Sequence, residues 1–360
     1  MALQSPAVPS PSSSEAPPPT EVGLIRWMRE NLFSSIPNSL LTLFTLYLIY
    51  LLARVLIGFF ATADWSVVTH NLTLFAIGQY PRSEAWRTLA SLILVVVLLI
   101  ASALFWRSST TARRFLLTMW FLSPIIITLL LLGFKGSTAL PYVRTQLWSG
   151  LLLTIMLTVV GITASFPLGI LLALGRRSNL PIVKVLSTIY IEVIRGVPLI
   201  TILFMAQVML PLFVEQKIDV VIRAMAGITI FSAAYLAEIV RGGLQAIPKG
   251  QVEAAEALGL NPPLITSLIV LPQALRIVIP AIVGQFISLF KDTTLVSIIT
   301  LLDLLGIAES ALAQDPAFQF HKPELYLFLA AVYFVFSYAM SSAARGIEAR
   351  SSRMGGTSLL

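Results

Sequence analysis

The chemically loaded residues of this chain are charges set inside long apolar runs. Glu192 and Arg195 lie three apart in one run, and Glu238 and Arg241 repeat that spacing in the next. On a helix such residues are neighbours on one face, so each pair either neutralises itself or offers its charges to a polar path. Lys291-Asp292-Thr293-Thr294 is the sharper case. A cation, an anion and two hydroxyls in sequence cannot all face one way on a helix. Part of the tetrad is therefore expected to line a polar path, with packing between subunits as the competing explanation. Inserting such a charge in a bilayer costs about 2.5–3.5 kcal/mol, so charges kept there face a cavity or a partner. Just beyond Arg195, Gly196 and Pro198 flank Val197. Proline removes the hydrogen bond to the Ile194 carbonyl and glycine permits unwinding. Freed carbonyls inside a membrane are tolerated beside a cavity or another polar group, so a binding pocket is expected here. An ordinary proline kink is the alternative.

Other chemistries are excluded by what the chain lacks. It has no Gly-Lys dipeptide and hence no P-loop, and neither Gly-x-Ser-x-Gly nor His-Glu-x-x-His occurs. It has no cysteine, and its histidines, His70 and His321, stand far apart in candidate loops. No catalytic centre and no metal site are expected, and energy must come from a partner.

The elements that position these charges are membrane spans. The 360 residues are 57% hydrophobic and only 11% charged, against about a quarter charged in a soluble domain. Apolar runs near the ~20 residues that cross a bilayer are expected over 39–60, 88–106, 115–134, 148–174, 184–213, 221–240, 275–300 and 325–343. The fold class is thus an all-α polytopic membrane protein with about eight spans. Residues 1–20 are Pro/Ser-rich and read as a disordered tail, and 21–33 as a short interfacial helix, together filling 1–35. Arg54 lies inside the first span, where it can snorkel.

Placing the N-terminus in the cytoplasm and alternating spans puts Arg26, Arg29, Arg107, Arg113, Arg114, Arg176, Arg177, Lys184, Arg241, Lys249, Arg345, Arg350 and Arg353 inside. Arg82, Arg87, Lys135, Arg144, Lys217 and Lys322 fall outside. The bias of about two to one satisfies the positive-inside rule and puts both termini in the cytoplasm. Basic loops beside anionic headgroups also account for the excess of Lys+Arg without nucleic acid.

Residues 247–272, IPKGQVEAAEALGLNPPLITSLIVLP, interrupt the apolar runs of the second half. Pro248 can open a short helix and Gly259 can close it in a left-handed cap. Asn261-Pro262-Pro263 then restarts a second helix. The product is a helix–turn–helix elbow on the cytoplasmic side, where small Ala254 and Ala255 would let another protein's backbone approach closely.

Glu253-Ala254-Ala255, three residues, Gly259, nine residues, then Ile269-Val270-Leu271-Pro272 matches the pattern E-A-A-x3-G-x9-I-x-L-P in every defined position. In this the chain resembles the permease subunits of bacterial ABC importers. From 146 to 348 it is similar to the five-helix core of the polar amino-acid type. The landmarks are Trp148-Ser149-Gly150-Leu151, Glu192 to Leu199, Ala234 to Gly243, and Leu289 to Leu295. Three added spans with Tyr80-Pro81-Arg82 and Trp86-Arg87 resemble the enlarged permease half of general amino-acid or glutamate/glutamine/aspartate importers.

The resemblance implies three added spans over 36–140, a core over 141–348 and a cytoplasmic tail over 349–360. It implies ATPase coupling through Glu253, Ala254, Ala255, Gly259, Ile269, Leu271 and Pro272. The ATPase would be a separate dimer that binds ATP and Mg, with no cofactor held by this chain. A second permease subunit and an external amino-acid-binding protein would complete the assembly in the bacterial inner membrane. The binding protein would dock on the loops around 303–323. An amino acid carries a carboxylate and an ammonium, so Arg195, Gly196, Pro198, Glu238, Lys291, Asp292, Thr293 and Thr294 are candidates for its path. An ion-coupled secondary transporter is the alternative; it needs no elbow and favours an internal repeat, which is not visible.

Overall fold

The computed structural model describes residues 24–105, 108–214 and 218–355. The expected tail over 1–20, the basic residues Arg107 and Lys217, and the last residues of the expected C-terminal tail lie outside them, as do the side chains of Arg350 and Arg353. Two compact units divide at Ala63, and every element among the described residues is helical.

The first unit holds α1 (Leu24–Asn31) and α2 (Ile36–Thr62). Ser35 caps α2 through its hydroxyl to the Asn38 N–H, and Pro37 occupies the first turn. Leu40, Phe44, Tyr47, Leu52 and Ile57 are all exposed around it. A helix apolar on every side is suited to lipid.

The second unit begins with α3 (Ser66–Ile77), in a stretch read from sequence as a connection. Its Val67, Val68 and Phe75 are buried against α14 (Leu304–Gln314) and α15 (Lys322–Gly355). The helix is only 12 residues long, too short to span, so apolar length alone does not reveal it. His70 therefore sits on a helix rather than in a loop. Both histidines come to the same end of the unit: His321 lies 4.0 Å from Asp64 and 3.8 Å from Glu324, and His70 packs on Phe318.

Two antiparallel spans follow, α4 (Ala85–Phe105) and α5 (Thr110–Leu132), joined across the membrane by Trp120 Nε1 donating to Ser102 Oγ at 2.9 Å. At their other end Tyr80 donates to the Leu131 carbonyl, and Arg87 bridges Glu84 at 2.8 Å and the Pro141 carbonyl at 2.9 Å. Arg87 is fully buried. The charge count assigned it to an external loop; it is instead a clamp holding the chain around 80–87 to the chain around 131–141.

The core contains α6 (Gly150–Arg176), α7 (Pro181–Gly196), the short α8 (Leu199–Phe204) and α9 (Leu210–Phe213), and α10 (Val220–Gln245). After α11 (Lys249–Ala257) and α12 (Pro262–Leu264) comes the long α13 (Leu271–Asp292). The central pair is α6 and α10, where Gly161, Gly169, Ala173, Ala233 and Ala237 let the backbones close. A Cβ at Gly169 would come 2.7 Å from the Leu236 Cβ. Small residues at such seams are how membrane helices gain packing without a hydrophobic driving force.

Two expected spans differ in form. The run 184–213 is not one helix: 181–196 and 199–213 meet at 107°. Gly196 ends α7, Val197 is extended, and Pro198 starts the next arm as its N-cap. The run 275–300 is longer than expected, a continuous 262–299, because the second arm of the elbow merges with it. Pro272 lies inside this run, just after a π-helical turn over Ile265–Val270, an irregular turn of the kind that accommodates a missing N–H. Among the described residues seven helices are long and apolar enough to span, or eight with the bent pair.

Candidate functional site

The charges of α6, α7 and α10 converge on Glu238, which is largely buried. Arg176 meets it at 2.6 Å, Arg241 at 2.8 Å and Arg195 at 3.6 Å. Arg176 also reaches Glu192 at 2.6 Å. The spacing-based pair Glu238–Arg241 is present. Glu192, however, is matched with Arg176 rather than Arg195, because packing of α6 on α7 brings a better partner than the same helix does. The guanidinium of Arg195 lies 5.5 Å from the Tyr235 ring centroid, a cation–π contact. Arg176, taken from sequence only as a loop charge, is the residue that ties the three helices together.

Arg195 is followed at once by the break at Gly196-Val197-Pro198, so the bend and the charge network are contiguous. The arm beyond it contains a π-helical turn over Met205–Met209, a feature that often marks functional places in helices.

The tetrad sits where α13 gives way to a 3-10 helix, Thr293–Ile299. Lys291 is exposed, Asp292 and Thr294 are half-buried, and Thr293 is fully buried. Thr293 donates to the Phe290 carbonyl at 2.7 Å and Thr294 to that of Lys291 at 2.9 Å. Among the described residues neither Lys291 nor Asp292 has an oppositely charged atom within 4 Å. The structure thus separates the tetrad from the Glu238 network.

The elbow is built as its turn chemistry demands. Gly259 has φ +75°, closed to residues with a β-branch, and the Asn261 side chain accepts from the Leu264 N–H at 3.1 Å. Ala255 is buried against Ala173, Val240, Ile265 and Ala274. It joins the elbow to its own core, while Glu253, Ala254 and Leu258 are among the exposed positions. Leu258, four-fifths exposed, is an apolar contact that the motif did not single out. Ile269 and Leu271 are half-buried and Pro272 is exposed. Between the elbow and the α6–α7 connection lies a cleft of about 800 Å³, with Arg177, Lys249, Glu253 and Glu256 on its walls.

Near the other end of α10, Arg223 was not singled out from sequence, although it is a charge inside the expected span 221–240. Its Nη1 donates to the Gln207 main-chain carbonyl in the π-helical turn. At this same end a polar node joins α6 to α14. Asp303, fully buried, accepts from the Gly306 N–H at 2.9 Å and from the Tyr333 hydroxyl at 3.3 Å, and Thr154 accepts from the Leu304 N–H. Burial pushes the Asp303 carboxyl up to about 6.

Comparison with known proteins gives this architecture a family. Residues 165–353 match the model of the binding-protein-dependent transport system inner membrane component. The chain is 43% identical to the inner membrane amino-acid ABC transporter permease protein YhdY of Escherichia coli (strain K12), over 90% of this chain and 92% of that one. It is 36% identical to the glutamate/glutamine/aspartate/asparagine transport system permease protein BztC of Rhodobacter capsulatus, over 93% and 95%. A crystal structure of an amino acid ABC transporter with histidines aligns with a TM-score of 0.50 at 33% identity, covering 56% of this chain and 92% of that one. With its seven or eight spans, the molecule is a multi-pass inner membrane protein. The chain belongs to the binding-protein-dependent transport system inner membrane components, the permease subunits of ABC importers.

Proposed function

We propose that this permease takes up polar L-amino acids, with glutamate, glutamine and aspartate as the leading substrates. That YhdY is an amino-acid permease and BztC one for glutamate, glutamine, aspartate and asparagine supports that class. The observation that carries the mechanism is the elbow, whose φ-positive Gly259 aims Glu253, Ala254 and Leu258 outward from a core-anchored Ala255.

In this reading a dimer of ATPase subunits, which holds ATP and Mg, docks on the elbow. Both termini and the elbow face the cytoplasm, as the loop charges favour. A second permease subunit, identical or homologous, supplies the other wall of the path. An external binding protein delivers substrate to the opposite end. The chain then divides into added spans over 36–140, a core over 141–348 and a tail over 349–360. Closure of the ATPase dimer pulls the elbow, which is continuous with α13 and packed on α10. Movement of α10 reaches the Glu238 network, and through Arg195 the bend at Gly196-Pro198. Lys291, Asp292 and Thr294 line the path where α13 passes into the 3-10 helix, and the fully buried Thr293 fastens that junction. Glu238 already has three guanidinium neighbours, so its part is to hold Arg195 rather than to meet substrate directly.

The test is uptake of labelled glutamate, glutamine, aspartate, histidine and arginine in a strain carrying only this system. Competition confined to the acidic amino acids and their amides is the expected result. Uptake of none of the five would remove the amino-acid reading.

A further inference from the structure

One pair of buried polar atoms is complementary and unused. Arg223 Nε is a donor and Gln207 Oε1 an acceptor; both are buried, and neither has a hydrogen-bond partner among the described residues. The guanidinium is pinned by Nη1 to the main chain of Gln207, the residue whose amide oxygen is also orphaned, where the bent arm meets α10. Among the described residues no carboxylate lies within 4 Å of Arg223. Asp219, one turn back, is committed to the Thr145 hydroxyl and the Val221 N–H. Orphaned donors and acceptors in a low dielectric are costly and call for an occupant.

We infer that Arg223 and the Gln207 amide form a subsite for the α-amino-acid head group. The guanidinium donates to the substrate carboxylate, and the Gln207 carbonyl accepts from its ammonium. This deepens the amino-acid reading above and rests on it. An α-amino acid carries on one carbon the anionic acceptor and the cationic donor that these two atoms lack, and guanidinium–carboxylate pairs are among the strongest such contacts. The subsite lies on α10 about 22 Å from Glu238, at 1.5 Å per residue. In the proposed orientation that is the external side, where a binding protein would release its cargo. Both atoms are enclosed in this conformation, so the subsite opens by displacement of the 199–213 arm about its 107° bend.

The experiment uses the full complex of permease subunits and ATPase in phosphatidylcholine nanodiscs, whose headgroup has no N–H to offer Gln207. The binding protein is left out, because it reads the same head group. Thermal stabilisation is titrated with whichever of L-glutamate, L-glutamine or L-aspartate the wild-type system takes up. The comparison probes are its α-carboxamide and the corresponding acid lacking the amino group. Wild type should prefer the intact amino acid at least tenfold over both. Arg223→Met should lose that preference over the carboxamide and Gln207→Leu over the deamino acid, at normal folded yield, with Arg223→Lys restoring part of the first. Unchanged discrimination in both variants, with uptake intact, would overturn the subsite alone. So would a loss of folded yield shared by Arg223→Met and Glu215→Gln, which would make Arg223 the ion-pair partner of a residue outside those described. Failure of the wild-type system, with its binding protein present, to take up any of the three amino acids would sink the amino-acid reading and the subsite with it.

Discussion

The two ends of α10 treat their charges in opposite ways. Near the elbow, Glu238 is enclosed by Arg176, Arg195 and Arg241, and Arg176 passes on to Glu192. At the far end Arg223 has a buried Nε with no partner, and Asp303 is a buried carboxylate with no cation within 4 Å among the described residues. A membrane helix that merely needed neutral ends would resolve both alike. The difference separates a fastening, where charges tie α6, α7 and α10 together, from a place where the Arg223 guanidinium is left for something else.

Removing Glu238 should break the fastening hardest. Glu238→Gln leaves three guanidinium groups facing one another without their shared anion, and stripping one member of such a network costs about 3–5 kcal/mol. Thermal unfolding in detergent should register a large loss, while Arg223→Met stays within about 1 kcal/mol of wild type. Equal losses at the two positions would erase the comparison.

The far end should show a pH dependence of its own. Burial raises the Asp303 carboxyl from the ordinary 3.8 to about 6, so the folded state favours its neutral form. Stability is then fully present below about pH 4 and falls as pH rises through 6, by up to about 3 kcal/mol for a shift near two units. Asp303→Asn keeps the N-cap and removes the ionisation, so its profile from pH 4 to 7 should be flatter than wild type. Parallel profiles would show that Asp303 is already neutral or already paired.

Gly259→Val acts more locally. A β-branched residue at φ +75° strains the elbow by roughly 1–2 kcal/mol. Membrane insertion should be normal, while the yield of co-purified ATPase and the transport rate fall at least tenfold. ATPase recovery at wild-type yield would detach the elbow from docking.

The smallest stability change is expected at the tetrad. Asp292→Asn and Thr294→Val remove groups without a charged partner, so folded yield should shift by less than about 0.5 kcal/mol. Substrate-stimulated ATP hydrolysis should nevertheless drop several-fold at matched protein level. Full stimulation with an unchanged substrate profile would make the tetrad scaffold.

Most of this molecule was legible before its structure. Apolar runs near bilayer length marked the spans, and Pro248, Gly259 and Asn261 marked the elbow, because each demands a particular backbone or cap. The helix α3 was not legible, since twelve residues that mix apolar side chains with Ser66, Thr69, His70, Asn71 and Thr73 read equally as a loop crossing the surface. Gly196 and Pro198 announced an interruption but not its 107°. The partner of Glu192 was hidden, because sequence spacing favours Arg195 and only the packing of α6 on α7 supplies Arg176. Arg223 was visible as a charge within an apolar run. Its significance lies in the absence of a described partner, which no sequence pattern displays.

The most direct test of the account is uptake into proteoliposomes containing this chain with its partner permease and ATPase, supplied with the external binding protein and amino acid. ATP is enclosed on the elbow side, and ion gradients are imposed or collapsed independently. The account predicts uptake that requires ATP on that side, is lost in Gly259→Val, and is indifferent to collapse of proton and sodium gradients. Uptake driven by an ion gradient without the ATPase, and unchanged in Gly259→Val, would contradict it.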